Sequence, residues 1–339
     1  MNRGPAASIP AAAFLQELEE KAVEYARGAG QVLHNHFKAP LKVESKSKSH
    51  YDPVTAADRE SEEYLRAAIH RDYPSHGVLG EEGEDLVGED PDFLWVLDPL
   101  DGTANFVNHL PFFAVSIGVL YRNQPVVAAI YAPTSELLQE GVFHARLGGP
   151  AFLEDRPVTV AGNPLPEPSQ LTSLPGHYWR RMRFSGGVSR SPGEVRTLGS
   201  IALELALTAC GTLQYAVFDF PKIWDVAAGV LLVKQAGGLA LLQQGRGKPW
   251  FPLERFEPRA GGESPLDGYR KWSGTVIGGN PEIAWAVVSS FRRPPLVLQK
   301  IRSLVRKVRQ LPLWKTADAQ SPPSEEGKRP ASQDSPPEP

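Results

Sequence analysis

Two aspartates three residues apart, Asp98 and Asp101, carry the clearest chemical signal in the sequence. They follow the apolar run 94–97, which is typical of a strand buried on both faces, and Pro99 and Gly102 predict that this strand stops there. Two carboxylates at the end of a buried strand are costly unless something pairs with them. Mg²⁺ is a suitable partner because it prefers carboxylate and carbonyl oxygens. The same residues also suit a turn, so this segment alone leaves a turn and a metal site both open.

Three further acidic segments share this ambiguity. Asp58 stands near the start of a predicted helix, Glu81 and Glu82 follow a short apolar strand, and Asp225 opens a strongly apolar helix. Helix capping explains the two aspartates as well as a functional role does, and a solvated acidic loop explains the glutamates. Because adjacent glutamates point in different directions, we expect at most one of them to share a site with Asp98.

A helix start at Gly199 and Ser200 is a second candidate for chemistry. These residues precede a predicted helix at 201–208. Gly and Ser at a helix start leave N–H groups facing outward, which is the geometry of an anion site. Ordinary capping is the alternative interpretation.

The composition narrows the class of protein. Of 339 residues, 41% are hydrophobic and 22% are charged, as in a soluble globular protein, and the net charge of −3 gives no reason to expect a nucleic-acid partner. The single cysteine, Cys210, excludes an intrachain disulfide and is expected to be a core thiol. The sequence contains neither an apolar run long enough to span a membrane nor the apolar segment of a secretory signal, so we expect a cytoplasmic location.

The order of predicted elements indicates one large domain with a tail. The predicted organisation is a flexible N-terminus at 1–9, a domain at 10–293 with an N-terminal lobe at about 10–160 and a C-terminal lobe at about 161–293, a basic amphipathic helix at 294–314 and a disordered tail at 315–339. Residues 296–311 carry five Lys and Arg and no acid beside an apolar face. Such a helix can contact an anionic membrane or a protein partner, or pack back on its own domain.

Four acidic motifs occur in one order along the chain. They are DPVTAAD at 52–58, GEEG at 80–83, WVLDPLDGTANF at 95–106 with PFFAVSIG at 111–118, and WDVAAG at 224–229 with QAGG at 235–238. This set resembles the inositol monophosphatase family, the Mg²⁺-dependent, lithium-sensitive phosphatases that also include fructose-1,6-bisphosphatases. The resemblance covers roughly residues 10 to 291. It implies an α/β fold, layered as an α-β-α-β-α sandwich, and a homodimer.

The resemblance also implies a metal centre. Glu81, Asp98 and the Leu100 carbonyl would hold one Mg²⁺ ion. Asp98, Asp101 and Asp225 would hold a second, with Asp98 bridging, and a third, weaker ion would lie near Glu81. Such a pair of ions activates a water and neutralises the leaving oxygen.

Catalytic and substrate-binding roles follow from the same resemblance. Thr103 and Asp58 would orient and deprotonate the attacking water. The N–H groups of Gly102 and Thr103, at a helix start, would hold the phosphate. The other substrate-binding positions would be Leu100, Gly199, Ser200 and Asp225. The three-residue spacing of Asp98 and Asp101 argues against a phosphoaspartate mechanism.

The chain departs from the family around the substrate alcohol. Phe218 stands where inositol monophosphatases generally carry a Glu that contacts inositol hydroxyls, and the neighbouring Asp219 is expected on the opposite face of its strand. Ile201 replaces a small Ala, and either Lys46 or Lys48 matches the loop lysine of the family. The residues 244–272 form a long predicted loop over a site or an interface.

Two classes of function therefore stand open. The first is a phosphomonoesterase for a small polyol or sugar phosphate resembling inositol monophosphate, with histidinol phosphate and fructose 1,6-bisphosphate as alternative substrates. The second is a catalytically silent relative that binds a partner through its basic C-terminal helix. Retention of all the acidic motifs favours the first class.

Overall fold

The structure is a computed structural model that describes residues 9–38, 43–45, 53–135, 139–176, 178, 182–186, 188 and 192–293. Lys46 and Lys48 lie outside the described residues. So do the predicted basic helix at 294–314 and the predicted tail at 315–339.

The described chain contains both helices and strands. The helices are α1 (Ala12–Phe37), α2 (Ala56–Asp72), α3 (Thr103–Val107), α4 (Ile201–Ala209), α5 (Ile223–Gln235), α6 (Asp267–Arg270) and α7 (Pro281–Ser290). The strands of the first half are β1 (Val43–Ser45), β2 (Pro53–Thr55), β3 (His76–Gly80), β4 (Asp90–Asp101), β5 (Ala114–Tyr121), β6 (Gln124–Ala132), β7 (Gly141–Arg146), β8 (Ala151–Leu153) and β9 (Arg156–Val158). Those of the second half are β10 (Leu171–Ser173), β11 (Arg183–Phe184), β12 (Glu194–Arg196), β13 (Leu213–Asp219), β14 (Leu239–Gln243), β15 (Phe251–Pro252), β16 (Thr275–Gly279) and β17 (Phe291–Arg292).

A seven-stranded sheet runs in the order β3-β4-β5-β6-β7-β8-β9. β3 and β4 are parallel and every later pair is antiparallel. The β5–β6 hairpin turns at Arg122 and Asn123, whose φ angles of 47° and 70° suit a tight two-residue turn. The chain reverses between β8 and β9 at Glu154, which has a φ of 53°.

A six-stranded sheet forms the second layer, in the order β12-β10-β13-β16-β14-β15. The helices α4 and α5 lie between the two sheets, in a core that contains residues of both. α1 and α2 cover the outer face of the first sheet, and α7 covers the outer face of the second. The succession of layers confirms the predicted α-β-α-β-α sandwich.

The strand β4 is buried on both faces, as its apolar run predicts. Leu94 and Val96 belong to the core between the sheets, whereas Trp95 and Leu97 belong to the core under α1 and α2. The strand ends at Asp101, directly before Gly102 and so within the segment where the sequence predicts its end, although it extends past Pro99.

A bulge near the end of β4 explains that difference. Asp98 lies opposite Ser116 and Asp101 lies opposite Ala114, so the β4 side is one residue longer than its partner strand. Pro99, which cannot donate a ladder hydrogen bond, falls within this irregularity. The bulge therefore keeps the strand intact while it redirects the side chain of Asp101.

Among the described residues, no helix is both long enough and apolar enough to cross a bilayer.

The segment 244–272 is less irregular than predicted, since it contains the short elements β15 and α6. Two of its aromatic residues, Phe256 and Trp272, enter the central core and pack edge to face with ring centroids 4.9 Å apart.

A buried ion cluster ties α1 to the first sheet. Glu19 of α1 receives Nδ1 of His144 at 2.7 Å and Nη1 of Arg146 at 2.5 Å, both from β7. Burial raises the pKa of the Glu19 carboxyl, but the hydrogen bonds from His144 and Arg146 outweigh that effect, so the pKa is lowered overall. Because the folded pKa lies below the ordinary value of 4.5, the cluster stabilises the fold above that pH and loses its effect as the pH falls through the folded value.

We predict that Glu19→Gln lowers the free energy of unfolding at pH 7 by about 2 to 3 kcal/mol, because it leaves Arg146 without its buried partner. The loss should shrink as the pH falls into the acid range. Urea denaturation of both proteins at several pH values measures it. Glu20→Gln, on the exposed side of the same helix, is the matched control and should change stability little. An equal loss at neutral and acid pH would contradict the linkage.

Candidate active site

The end of β3 brings Glu81 beside Asp98. β3 runs parallel to β4, and Gly80 lies opposite Leu97 in that pairing. β3 ends at Gly80, so the next residue, Glu81, leaves that strand beside Asp98 of β4. Asp98 is 2% exposed, while Glu81 is half-buried.

The start of α5 brings Asp225 to the same place. Asp98 lies opposite Ser116 on β5, and the hydroxyl of Ser116 donates to the carbonyl of Trp224 at 3.2 Å. Asp225 follows in the first turn of α5, where its Oδ2 accepts the N–H of Lys222 at 2.7 Å. The cap predicted as an alternative role for Asp225 is thus present, on a carboxylate that faces the other acids.

The start of α4 is bound to Asp101. Oδ2 of Asp101 accepts the Ser200 hydroxyl at 2.8 Å and the Ala202 N–H at 2.5 Å. A carboxylate at a helix N-terminus is favoured by the helix dipole and by its unpaired N–H groups. The contact joins β4 of the first sheet to the helix layer between the sheets.

Burial and mutual repulsion dominate the electrostatics of these acids. The pKa of Asp98 lies well above its usual range, first because the group is buried and then because of Glu81, Asp101 and Asp225. The pKa of Asp101 is raised by burial and by Asp225. Burial also raises the pKa of Asp225 to about 7, with a further contribution from Glu81. The four carboxylates therefore form one acidic cluster, in which neighbouring carboxylates repel one another.

This cluster has the donor chemistry of a hard-cation site. Within the described ranges, no three His, Cys, Asp or Glu side chains are gathered closely enough to form a ready-made metal site. The aspartates instead accept hydrogen bonds, among them the bond from the Leu100 N–H to Oδ1 of Asp98 at 3.1 Å. All-oxygen donors that raise one another's pKa are nevertheless the environment that a divalent cation relieves. The residues therefore fit Mg²⁺ by their chemistry.

A hydroxyl and a buried carboxylate lie next to the cluster. Thr103, the first residue of α3, has its Oγ1 3.3 Å from Oδ1 of Asp58 and 3.1 Å from the carbonyl of Leu100. Asp58 is 1% exposed in the first turn of α2. Ser61 of the same helix donates to the carbonyl of Pro99 at 2.9 Å, which fastens α2 to the β4 bulge. The predicted pair of Thr103 and Asp58 is thus brought together.

Gly102 is required by its conformation. Its φ is 93°, and a Cβ there would lie 3.0 Å from the carbonyl of Phe112 and 3.2 Å from Cβ of Ser200. No other residue type adopts this backbone so readily. The glycine lets β4 pass directly into α3.

The N–H groups around Gly199 do not face outward as an anion site would require, so that prediction is wrong. The N–H groups of Leu198 and Gly199 donate to Oε1 of Glu204 at 2.7 and 3.0 Å. Ser200 caps Leu203, and Ala202 is bound to Asp101. This helix start therefore binds carboxylates of the protein, and capping, the alternative interpretation, applies.

Sequence reasoning missed two buried glutamates that support the site. Glu204 is the single acid in the apolar helix α4, and besides its two loop N–H groups it accepts the hydroxyl of Ser173. Glu62 on α2 accepts the N–H groups of Glu82 and Gly83, both at 2.7 Å. An acid in an apolar helix, and an acid one turn after Asp58, are the signals that could have indicated them.

Phe218 lies in the apolar core between the sheets and is 4% exposed. Asp219 is directed elsewhere, since its carboxylate receives Nη2 of Arg293 at 2.6 Å and the Thr275 hydroxyl at 3.1 Å. It therefore does not take the place of the missing glutamate.

Known proteins resemble this chain over most of its length. The inositol-1-monophosphatase of Mesorhizobium japonicum is 32% identical over 277 residues, covering 80% of this chain and 95% of that protein. The Nus factor SuhB of Escherichia coli is 30% identical over 283 residues, covering 80% of this chain and 94% of that protein.

Solved structures show the same fold. The extragenic suppressor protein suhB of Bartonella henselae has a TM-score of 0.63 at 29% identity, covering 80% of this chain and 96% of that one. An IMPase/NADP phosphatase complexed with Mg²⁺ and phosphate has a TM-score of 0.62 at 18% identity, over 81% and 95% of the two chains. The sequence profile of the inositol monophosphatase family matches residues 15–267. The chain belongs to the inositol monophosphatase family.

Proposed function

We propose that this protein is a Mg²⁺-dependent phosphomonoesterase that hydrolyses a small polyol or sugar phosphate by attack of water. Its family makes it a phosphoric monoester hydrolase; the metal, the roles of individual residues and the substrate are the proposal. The observation that carries it is the cluster of Glu81, Asp98, Asp101 and Asp225, in which the neighbouring carboxylates help to raise the pKa of each aspartate. A metal-dependent hydrolase has a reason to keep these four acids together.

The metal ligands are proposed from the donor set. Glu81, Asp98 and the Leu100 carbonyl would hold one ion, and Asp98, Asp101 and Asp225 would hold another, with a weaker third ion near Glu81. The Mg²⁺ in the IMPase/NADP phosphatase of the same fold supports this choice of metal. Bound Mg²⁺ supplies an activated water and a counter-charge for the leaving oxygen. The chain's own part is to hold the carboxylates within one buried cluster.

Thr103 and Asp58 are proposed to accept the proton of the attacking water. The Thr103 hydroxyl has one hydrogen and two acceptors, the Leu100 carbonyl at 3.1 Å and Asp58 at 3.3 Å. When the Leu100 carbonyl serves as a ligand, Asp58 remains as the acceptor of that hydrogen. The hydroxyl oxygen can then accept a proton from water while its own hydrogen passes to the Asp58 carboxylate.

The phosphate is proposed to lie at the start of α3, on the N–H groups of Gly102 and Thr103. Gly199, Ser200 and Asp225 border this position through their contacts with Gly102 and Asp101. The alcohol part of the substrate would lack the hydroxyl contact that a Glu at position 218 makes in the family, because this chain has a buried Phe218 there. We therefore propose a polyol or sugar phosphate resembling inositol monophosphate, with histidinol phosphate and fructose 1,6-bisphosphate as the alternatives.

A regulatory role is the second candidate function. The relative from Escherichia coli is named a Nus factor, at 30% identity. The basic segment 296–311 is the proposed contact for a partner, and this segment lies outside the described residues. The acidic cluster has no purpose in such a role, which favours the enzyme.

We predict release of phosphate from at least one of inositol 1-phosphate, histidinol phosphate and fructose 1,6-bisphosphate in the presence of Mg²⁺. A malachite green assay measures it, with EDTA expected to abolish the release and Li⁺ to inhibit it. Removal of residues 294–339 should leave the hydrolysis unchanged. A folded protein that binds Mg²⁺ and releases phosphate from none of these would favour the regulatory role instead.

We predict that Thr103→Ala lowers kcat by about 100-fold or more, because the water loses its oriented acceptor. Thr103→Ser keeps the hydroxyl and should retain most of the activity. Steady-state kinetics with saturating Mg²⁺ measures both, and calorimetric Mg²⁺ titration should show that neither variant loses the metal. Equal activity of the Ala and Ser variants would rule out a role for the hydroxyl.

A further inference from the structure

The loop between β3 and β4 that carries Glu81 is held from one side by α2. The N–H groups of Glu82 and Gly83 both donate to the carboxylate of Glu62. Glu62 is itself paired with Arg66, one turn along α2, at 2.6 Å, and the side chain of Glu62 is 3% exposed. The fit is close, since a Cβ at Gly80 would lie 2.2 Å from Oε1 of Glu62.

Arg270 holds the same loop from the opposite side. Its Nη2 donates to the carbonyls of Gly80 at 2.8 Å and Gly83 at 3.2 Å. Nε and Nη2 also donate to the two carboxylate oxygens of Asp85 at 2.9 and 2.7 Å. A guanidinium that binds a carboxylate through two nitrogens has a fixed orientation, which a single lysine ammonium does not reproduce. The backbone around Glu81 is therefore bound by its N–H groups on one side and its carbonyls on the other.

The guanidinium of Arg270 also contacts Trp224, the residue before Asp225. Its central carbon lies 5.6 Å from the centre of the Trp224 ring, within the range of a cation–π contact. Trp224 directly precedes Asp225 in the first turn of α5. One side chain thus bridges the two segments that bring Glu81 and Asp225 together.

The position of Arg270 is set by the segment 244–272. Arg270 ends α6, and Asp267 at its start accepts the N–H groups of Glu263 and Ser264 at 2.7 and 3.0 Å. Trp272, two residues further on, is fully buried. Tyr269 donates to Oδ1 of Asn123 in the β5–β6 turn at 2.5 Å. Arg270 is thus anchored on both sides, and its contacts are not those of a loose surface arginine.

We propose that Arg270 is a positioning residue that sets the Mg²⁺ affinity of the acidic cluster by holding the Glu81 loop against Trp224 and Asp225. The inference rests on the proposed function, and it gives the long segment 244–272 a role in the site. The hydrogen bonds of Arg270 go to Gly80, Gly83 and Asp85 and not to the proposed ligands. It therefore acts through the backbone on either side of Glu81. Its side chain is 30% exposed and lies outside the apolar cores, so we expect Arg270→Gln to fold.

The test compares Arg270→Gln with a matched control, Arg259→Gln. Arg259 lies in the same segment and donates to the carbonyl of Ser273 at 2.6 Å. Calorimetric Mg²⁺ titration of the full-length chain should show binding about 10- to 100-fold weaker for Arg270→Gln, as for residues that orient metal ligands, and nearly unchanged for the control. Excess Mg²⁺ should restore most of kcat to the variant.

Hydrogen exchange of the metal-free proteins gives a second readout. The amides of Glu82 and Gly83 should exchange faster in Arg270→Gln than in the wild type and the control. Asp85→Asn breaks the same pair from the loop side and should shift Mg²⁺ affinity in the same direction, so it replaces Arg270→Gln if that variant does not fold. Unchanged affinity in a folded variant would overturn the inference and leave the proposed function standing. A wild-type chain that binds no Mg²⁺ would overturn the proposed function itself.

Discussion

Repulsion among buried carboxylates is the constraint on which this structure depends. Glu81, Asp98, Asp101 and Asp225 come from three separate segments, and each aspartate has a raised pKa because it is buried near the others. The fold offsets part of this cost with N–H and hydroxyl donors at the starts of α4 and α5, where the helix dipoles also favour negative charge. Bound cations would remove the remaining free-energy cost of keeping the carboxylates together. The same repulsion that lowers the stability of the metal-free fold therefore favours metal binding.

The layered architecture explains how such distant segments meet. Asp98 and Asp101 lie on β4, a bulged strand of the first sheet. The parallel neighbouring strand β3 ends next to them, which places Glu81 there. The helices between the two sheets aim their N-termini at the same edge. Ordinary core packing thus holds α4 and α5 in place, while a few polar bonds, such as that from Ser116 to Trp224, fix the register.

The layers could be predicted because the order of the four acidic motifs carries the family resemblance, and the buried strand before Asp98 because its apolar run is a local pattern. The apolar run before Asp98 and the order of the four motifs are readable without coordinates. The N–H groups near Gly199 were mispredicted because Glu204 reaches back from the following turn, a side-chain choice that no pattern of helix starts reveals. Arg270 could not be predicted, since its partners Gly80 and Asp85 lie far away along the chain and Arg270 itself stands in a segment without periodicity.

The proposed function depends on metal binding by the acidic cluster. Isothermal titration of the metal-free protein with Mg²⁺ tests this most directly, with Asp98→Asn as the variant and Asp92→Asn, which is paired with Arg122 at the far end of the same strand, as the control. We expect the wild type and Asp92→Asn to bind Mg²⁺ and Asp98→Asn to lose binding while gaining thermal stability without metal, because one repelling charge is removed. Mg²⁺ binding by Asp98→Asn as tight as that of the wild type would contradict the account.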